Sequence, residues 1–252
     1  CGGRDDASTG NHALGLARAL RQADCSGTVY MPTNAVASKV EALKSYPVEL
    51  VFAGNNSLET ELEARSVAER TGAIWVSPYN DPKIIGGQGT IGIELLQQLA
   101  DVDVVFATVG GGGLIAGIAT YVKYLNPQTK IVGCLPERSP EMALSVKAGK
   151  IVTLEEAQET ISDGSAGGVE PEAITFPVCQ QLVDEFVLVS EQEIKSAIRL
   201  VVEQHHKIIE GAAGVAVAAF VKTAEKWPHK KAAIIICGSN IATSTLVDIL
   251  SD

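Results

Sequence analysis

The chain has 252 residues, of which 46% are hydrophobic and 20% charged, so it can bury a core in one large or two smaller domains. Its formal net charge of −10 argues against a nucleic-acid partner, because an acidic surface repels phosphate backbones. No apolar run reaches the roughly 20 residues that span a bilayer, so we expect no membrane partner. Five cysteines at wide, irregular spacing suggest neither a zinc site nor a disulfide framework, and we expect reduced thiols in a cytoplasmic protein.

Short apolar runs alternate with amphipathic stretches along almost the whole chain. In the first part, strands are predicted over "GTVYMP", "VELVFAG" and "AIWVSPY", with helices over "AVASKVEALKSY" and "SLETELEARSVAERTG". Continuous apolar strands separated by helices are typical of parallel sheets covered on both faces, so the predicted class is α/β. We place a hinge at "PYNDP", which divides the chain into a smaller domain, residues 1–78, and a larger one, residues 79–252.

The second part continues the same alternation. Its predicted strands are "DVVFATV", "KIVGCLP", "EFVLVS" and "KAAIIICGSN", and its helices are "TIGIELLQQLA", "LIAGIATYVKYL", "SEQEIKSAIRLVVEQHHKII", "AGVAVAAFVKTAEK" and a closing helix. Ser190 and Glu193 form a capping box that sets the start of one helix. Two stretches are predicted as loops: the flexible "GGQGT" (86–90) ahead of a helix, and the elaborated region 139–180, rich in Gly, Ser, Thr and acids.

The stretch "TVGGGGLIAG" (108–117) follows a strand and opens a helix. Consecutive glycines let neighbouring N–H groups converge, and the helix start adds partial positive charge, so we predict a phosphate site rather than a flexible turn. A nicotinamide dinucleotide competes as the ligand, because G-x-G-x-x-A is formally satisfied and an acid ends the next strand. The residues concerned are Gly111, Gly113, Ala116 and Glu137.

Three other loops carry polar residues at predicted helix starts or strand ends. The stretch "ASTGNHALG" (7–15) is either an ordinary helix cap or a carboxylate site. Glu210 in "IIEGAAG" is either part of a capped turn or a site residue. Cys237 in "CGSN" is either a buried thiol or a weak hydrogen-bond partner for a ring nitrogen.

In combination, these motifs resemble one enzyme family over residues 7–252. The order S-T-G-N-H, G-G-Q-G-T-I-G-I-E, T-V-G-G-G-G-L, T-I-S-D-G, I-I-E-G-A-A-G and C-G-S-N is similar to the pyridoxal-phosphate enzymes of fold type II. Within them it looks most like the serine/threonine dehydratase and serine racemase branch. The resemblance implies two parallel-sheet α/β domains with the coenzyme cleft between them.

The resemblance also implies roles for residues of both domains. It assigns the coenzyme phosphate to the backbone of the glycine loop, residues Gly110, Gly111, Gly112, Gly113 and Leu114. It places Asn11 at the phenolic oxygen of the pyridine ring, Cys237 at the ring nitrogen and Glu210 near the ring. It assigns the substrate carboxylate to a set of neighbouring residues, Ser8, Thr9, Gly10, Asn11 and His12. Thr9 also stands where the racemases carry a serine acid/base, so it is a candidate catalytic residue.

The reaction implied by the resemblance is β-elimination. A hydroxy amino acid such as threonine or serine would give a 2-oxo acid and ammonia, with pyridoxal 5'-phosphate as cofactor. The implied partners are a small amino-acid substrate and a second copy of the chain in a dimer. Two alternatives remain open: a non-catalytic protein that binds a phosphate ligand or another protein, and a dehydratase of hydroxyectoine breakdown, which "SDGSAGGVEPEAITF" resembles.

The sequence departs from the family at the catalytic amine. Relatives carry a Schiff-base lysine in a Ser-Phe-Lys context about 25–30 residues upstream of the S-x-G-N-H loop, whereas only "CGGRDDA" precedes Ser8 here. The first lysines, Lys39 and Lys44, are interpreted as exposed helix positions. The strand expected before this loop is also predicted to be missing, because "CGGRDD" is neither apolar nor alternating. We therefore expect an N-terminally truncated chain that is inactive in this form.

A second departure concerns the divalent cation that some relatives bind. A Glu at the end of the strand before the flexible loop and an acid six residues later are its ligands in those relatives. Leu135 occupies the first position here, Glu141 the second, and Glu137 lies two residues late. We therefore expect no metal site.

Overall fold

The structure is a computed structural model that describes residues 4–7, 11–154 and 158–251, with backbone only for 4–7. It divides into two compact units, Cys1–Asp81 and Pro82–Asp252. The sequence places the boundary three residues earlier, after residue 78. In the described part of the chain, no helix is both long enough and apolar enough to cross a bilayer.

The first unit is a four-stranded parallel sheet with three helices. Its strands are β1 (Arg4–Ala7), β2 (Gly27–Met31), β3 (Val48–Phe52) and β4 (Ile74–Val76), in the order β3-β2-β1-β4. The helices are α1 (Asn11–Gln22), α2 (Ala37–Leu43) and α3 (Ser57–Thr71). Ala13, Ala17 and Leu20 are buried along α1 at spacings of four and three residues, as expected for one apolar helix face.

The prediction that no strand precedes the first loop is wrong. Arg4–Ala7 forms β1, which lies between β2 and β4 and is parallel to both, with Asp5 opposite Thr28 on one side and Trp75 on the other. A central strand is hydrogen-bonded along both edges, so its pairing outweighs the low strand propensity of aspartate. Pattern alone could not reveal this, because the sequence is neither apolar nor alternating.

The second unit is a larger parallel sheet covered by helices. Its strands are β5 (Val104–Thr108), β6 (Lys130–Pro136), β7 (Glu185–Val189) and β8 (Ala232–Ile234), in the order β7-β6-β5-β8. The helices are α4 (Pro82–Gln98), α5 (Gly113–Leu125), α6 (Glu141–Ala148), α7 (Thr175–Leu182), α8 (Glu191–His205), α9 (Gly211–Thr223) and α10 (Thr243–Ser251). Single 3-10 turns lie at Asp163–Ser165 and Ala224–Lys226. The predicted α/β class with parallel sheets is therefore confirmed.

The core of the second unit lies between β5 and the helices that pack on it. All five residues of β5 are buried, and the ring of Phe106 meets Phe220 edge to face at a centroid distance of 5.4 Å. The predicted capping box is present at the start of α8. The Ser190 hydroxyl accepts from the Glu193 amide, and the Glu193 carboxylate accepts from the Ser190 amide at 2.7 Å.

The stretch "GGQGT" is not a loop ahead of a helix, as predicted, but the interior of α4. Its glycines are tolerated there because α4 and α5 approach closely enough for their backbones to touch. A Cβ on Gly89 would lie 3.1 Å from the carbonyl oxygen of Gly117, and a Cβ on Gly117 would lie 2.6 Å from the Gly89 amide nitrogen and clash with the Ile85 carbonyl. Close packing between helices therefore outweighs the low helix propensity of glycine.

The prediction that residues 139–180 form a loop region is also wrong in part. The segment contains α6, α7 and the 3-10 turn at Asp163–Ser165. Each helix has only eight residues, so its periodicity is too short to stand out among glycines, serines and acids.

The thiols differ from expectation at one position. Cys25 is disulfide-bonded, so the prediction of reduced cysteines throughout is wrong there. Cys134, Cys179 and Cys237 are free thiols.

We expect Gly117→Ala to lower the free energy of unfolding by about 1–3 kcal/mol, because its methyl group would force α4 and α5 apart. Gly86→Ala is the matched control on α4, since a Cβ there meets nothing within 4 Å. It should instead stabilise the protein by about 0.5–1 kcal/mol, because alanine is the better helix former. Urea denaturation of both variants measures the two effects. Equal stabilities would contradict the contact between the two helix backbones.

Candidate functional site

The glycine loop lies between the end of β5 at Thr108 and the start of α5 at Gly113. Gly112 is the N-cap residue of α5 and has a φ of 91°, in the left-handed region that favours glycine. Within the described part of the chain, no backbone or side-chain acceptor pairs with the amides from Gly110 to Leu114. A row of free amides at a helix start is the arrangement that binds phosphate in many proteins.

The other side of the glycine loop is closed by the segment that was predicted to be irregular. A Cβ on Gly110 would lie 2.9 Å from the Ser165 carbonyl oxygen. A Cβ on Gly112 would lie 3.0 Å from Met142 Cε and 3.1 Å from Cys179 Sγ. The loop therefore needs glycine for close packing on α6, α7 and the 3-10 turn as well as for its backbone conformation.

Sequence reasoning missed the four side chains or backbones that support this loop. They lie in the region 139–180 and are Met142, Ser165, Thr175 and Cys179. A usable signal was present, because Thr175 and Cys179 are four residues apart and so share one face of a helix.

Cys237 and Glu210 lie at the same edge of the sheet as the glycine loop. β8 pairs in parallel with β5, and Cys237 follows β8 by three residues, so both loops leave the carboxyl ends of neighbouring strands. The Thr108 hydroxyl, at the end of β5, donates to the Ala212 carbonyl at 2.6 Å and so joins β5 to the first turn of α9. The structure thus brings together three of the elements that the sequence singled out.

Glu210 is the N-cap residue of α9 and is 2% exposed. Its carboxylate accepts from the Asn240 amide at 2.8 Å, and its own amide donates to the Gly238 carbonyl at 3.1 Å. Glu210 therefore fixes the loop that carries Cys237 against the start of α9.

The thiol of Cys237 stays protonated over the whole physiological range. Burial raises the pKa of Cys237 to about 12, and the nearby negative charge of Glu210 raises it further, against a smaller opposing effect of the Thr108 hydroxyl. A neutral thiol offers a ligand atom only a weak hydrogen bond and no charge.

The residues predicted to bind the substrate carboxylate belong to the first unit. Ser8, Thr9 and Gly10 lie outside the described residues. Asn11 is the first residue of α1, and His12 Nε2 lies 3.4 Å from the Val76 carbonyl oxygen.

The interpretation of Lys39 as an exposed residue is wrong, although Lys44 is exposed and forms an ion pair with Glu41. Lys39 is 2% exposed. It lies four residues before the buried Leu43, on the face by which α2 packs on the core.

The positions compared with the metal site of some relatives are dispersed. Leu135 is buried in β6, and Glu137 forms a long ion pair with Lys222 at 3.8 Å. Glu141 is buried and accepts from the Ser139 hydroxyl at 2.6 Å, and burial raises the pKa of its carboxyl. Among the residues that the structure describes, no three potential metal-binding side chains come together.

Comparison with known proteins places the chain next to enzymes of amino-acid breakdown. A family model described as "Pyridoxal-phosphate dependent enzyme" matches residues 6–238. The L-threonine ammonia-lyase of Thermotoga maritima is 39% identical over 245 residues, which are 97% of this chain and 60% of that protein. The catabolic L-threonine dehydratase TdcB of Escherichia coli K12 is 38% identical over 96% of this chain and 74% of its own length.

Solved structures give the same result. The processed form of threonine deaminase isoform 2 from Solanum lycopersicum superposes with a TM-score of 0.90 at 37% identity, covering 99% of this chain and 73% of that one. Maize serine racemase superposes with a TM-score of 0.87 at 32% identity, covering 98% and 76%.

We expect Glu210→Gln to lower the pKa of Cys237, because it removes a nearby negative charge. More thiolate is then present at any pH below about 12, and iodoacetamide should alkylate Cys237 several-fold faster at pH 9. Peptide mass spectrometry of native protein measures the rate. Cys179 is the internal control, since burial alone raises its pKa to about 12. An unchanged rate at Cys237 would rule out the electrostatic contact.

Proposed function

Since the chain belongs to the family of pyridoxal-phosphate dependent enzymes, we propose that its glycine loop binds the phosphate of the coenzyme. We propose further that it is the coenzyme-binding part of a dehydratase for a hydroxy amino acid such as threonine or serine. The observation that carries the proposal is the row of amides from Gly110 to Leu114, which have no acceptor in the described part of the chain.

The residues of the second unit fit the coenzyme. Five free amides and the start of the 13-residue helix α5 offer hydrogen bonds and partial positive charge to the phosphate. The missing Cβ atoms at Gly110 and Gly112 keep the loop seated on its support. When bound, the coenzyme supplies an electron sink for the carbanion formed at the substrate Cα.

Cys237 is the proposed partner of the pyridine nitrogen. Because its thiol is neutral, it does not stabilise a protonated ring, which limits charge storage on the coenzyme and favours elimination over transamination. Glu210 acts by holding the backbone of the loop around Cys237 through Asn240. The roles of Thr9, Asn11 and the remaining residues of the carboxylate site stay predictions.

The sequence has no lysine before Lys39, which is buried in α2. We propose that this chain binds the coenzyme through its phosphate without a covalent link. Turnover then requires an amine from elsewhere, since imine formation and proton transfer both need one.

The phosphate contact is tested by Gly112→Ala. Its methyl group would press on Met142 and Cys179, so we expect affinity for pyridoxal phosphate to fall by tenfold or more, roughly 1.4 kcal/mol. Gly149→Ala is the matched control, because Gly149 also has a left-handed φ (70°) but open space around its Cβ position. Calorimetry with pyridoxal phosphate and with pyridoxal compares the two ligands. Equal binding of both by the unmodified chain would contradict a phosphate site.

The reaction is tested by supplying an amine. With the coenzyme and L-threonine alone we expect no 2-oxobutyrate, and with added methylamine we expect its formation above the rate of a protein-free mixture. The Gly112→Ala variant and L-2-aminobutyrate, which has no β-hydroxyl group, are the controls. Rates equal to the protein-free background, with coenzyme binding intact, would contradict the dehydratase proposal and favour a non-catalytic binding protein.

A further inference from the structure

The peptide bond between Gly111 and Gly112 is held by a side chain outside the glycine loop. The hydroxyl of Thr175 donates to the Gly111 carbonyl at 2.6 Å. Thr175 is the first residue of α7 and is fully buried, so water does not compete for this hydrogen bond.

The hydrogen bond sets the direction of the next amide. In a planar trans peptide the carbonyl of one residue and the N–H of the next point in opposite directions. Because the Gly111 carbonyl points to α7, the Gly112 N–H points away from α7. This amide is one of those that have no acceptor in the described chain.

Without this bond, the same peptide could adopt the reverse orientation at low cost. Both flanking residues are glycines, so no Cβ restricts rotation of the peptide plane. The packing of Met142 and Cys179 fixes the position of Gly112 Cα, but not the direction of the preceding carbonyl. In the reversed orientation a carbonyl oxygen would replace the amide and repel an anion.

We propose that Thr175 is a positioning residue for anion binding: its hydroxyl orients the Gly111–Gly112 peptide so that an N–H faces the coenzyme phosphate and a carbonyl does not. The inference rests on the proposed phosphate site. It assigns a role to α7, a helix in the segment that connects β6 to β7.

The test compares Thr175→Val, which keeps the shape and removes the donor, with Thr175→Ser, which keeps the hydroxyl. We expect the valine variant to bind pyridoxal phosphate and inorganic phosphate about tenfold more weakly, and the serine variant to restore binding. Thr223→Val is the matched control. Its hydroxyl donates to the Ala219 carbonyl at 2.7 Å within α9, so its loss removes the same kind of bond away from the loop.

A measurement without ligand separates the inference from the proposed function. The NMR resonances of the Gly111 carbonyl carbon and the Gly112 amide should shift in Thr175→Val, return in Thr175→Ser and stay unchanged in Thr223→Val. Unchanged resonances in the valine variant, or binding equal to that of the unmodified chain, would overturn the inference. Failure of the unmodified chain to bind any phosphate would instead overturn the proposed function and the anion-binding half of the inference.

Discussion

The free backbone amides between β5 and α5 are the feature on which the rest of the site depends. They lie at the carboxyl edge of a buried strand, and their loop rests on α6, α7 and the 3-10 turn at Asp163–Ser165. The neighbouring strand β8 leads to Cys237 at the same edge. A parallel sheet thus places an anion-binding backbone beside a neutral thiol by strand order alone.

Electrostatics around this edge fit a coenzyme whose ring stays uncharged. Burial and the carboxylate of Glu210 both oppose ionisation of Cys237, whereas the loop amides attract negative charge. The two ends of a phosphorylated pyridine would therefore meet different surroundings. Backbone dipoles would hold the phosphate end, and a weak neutral contact would lie at the ring nitrogen.

The parts of the fold that follow simple patterns could be predicted from the sequence. β2, β5, β6 and β7 are apolar and β-branched, and all are where the pattern indicates. The failures have a common cause, since each involves tertiary contact that overrides local preference. β1 is polar but paired on both edges, and α4 is glycine-rich but packed on α5.

The candidate site shows the same division. The position of the glycine loop could be read from four consecutive glycines, because few other sequences place free amides at a helix start. Its support could not be read, because Thr175 and Cys179 act through distances across 60 or more residues of chain. Lys39 was misjudged because α2 has only seven residues, too few to show which face is buried.

The contact between Gly89 and Gly117 restricts how this protein can change over time. In an ordinary core, a larger side chain at one position can be accommodated by a smaller one opposite. Here both partners already lack a side chain, so no compensating substitution exists at either site. These two positions should drift only together with a rearrangement of the whole helix pair, and since α5 begins at the glycine loop, such a rearrangement would move the anion-binding amides as well.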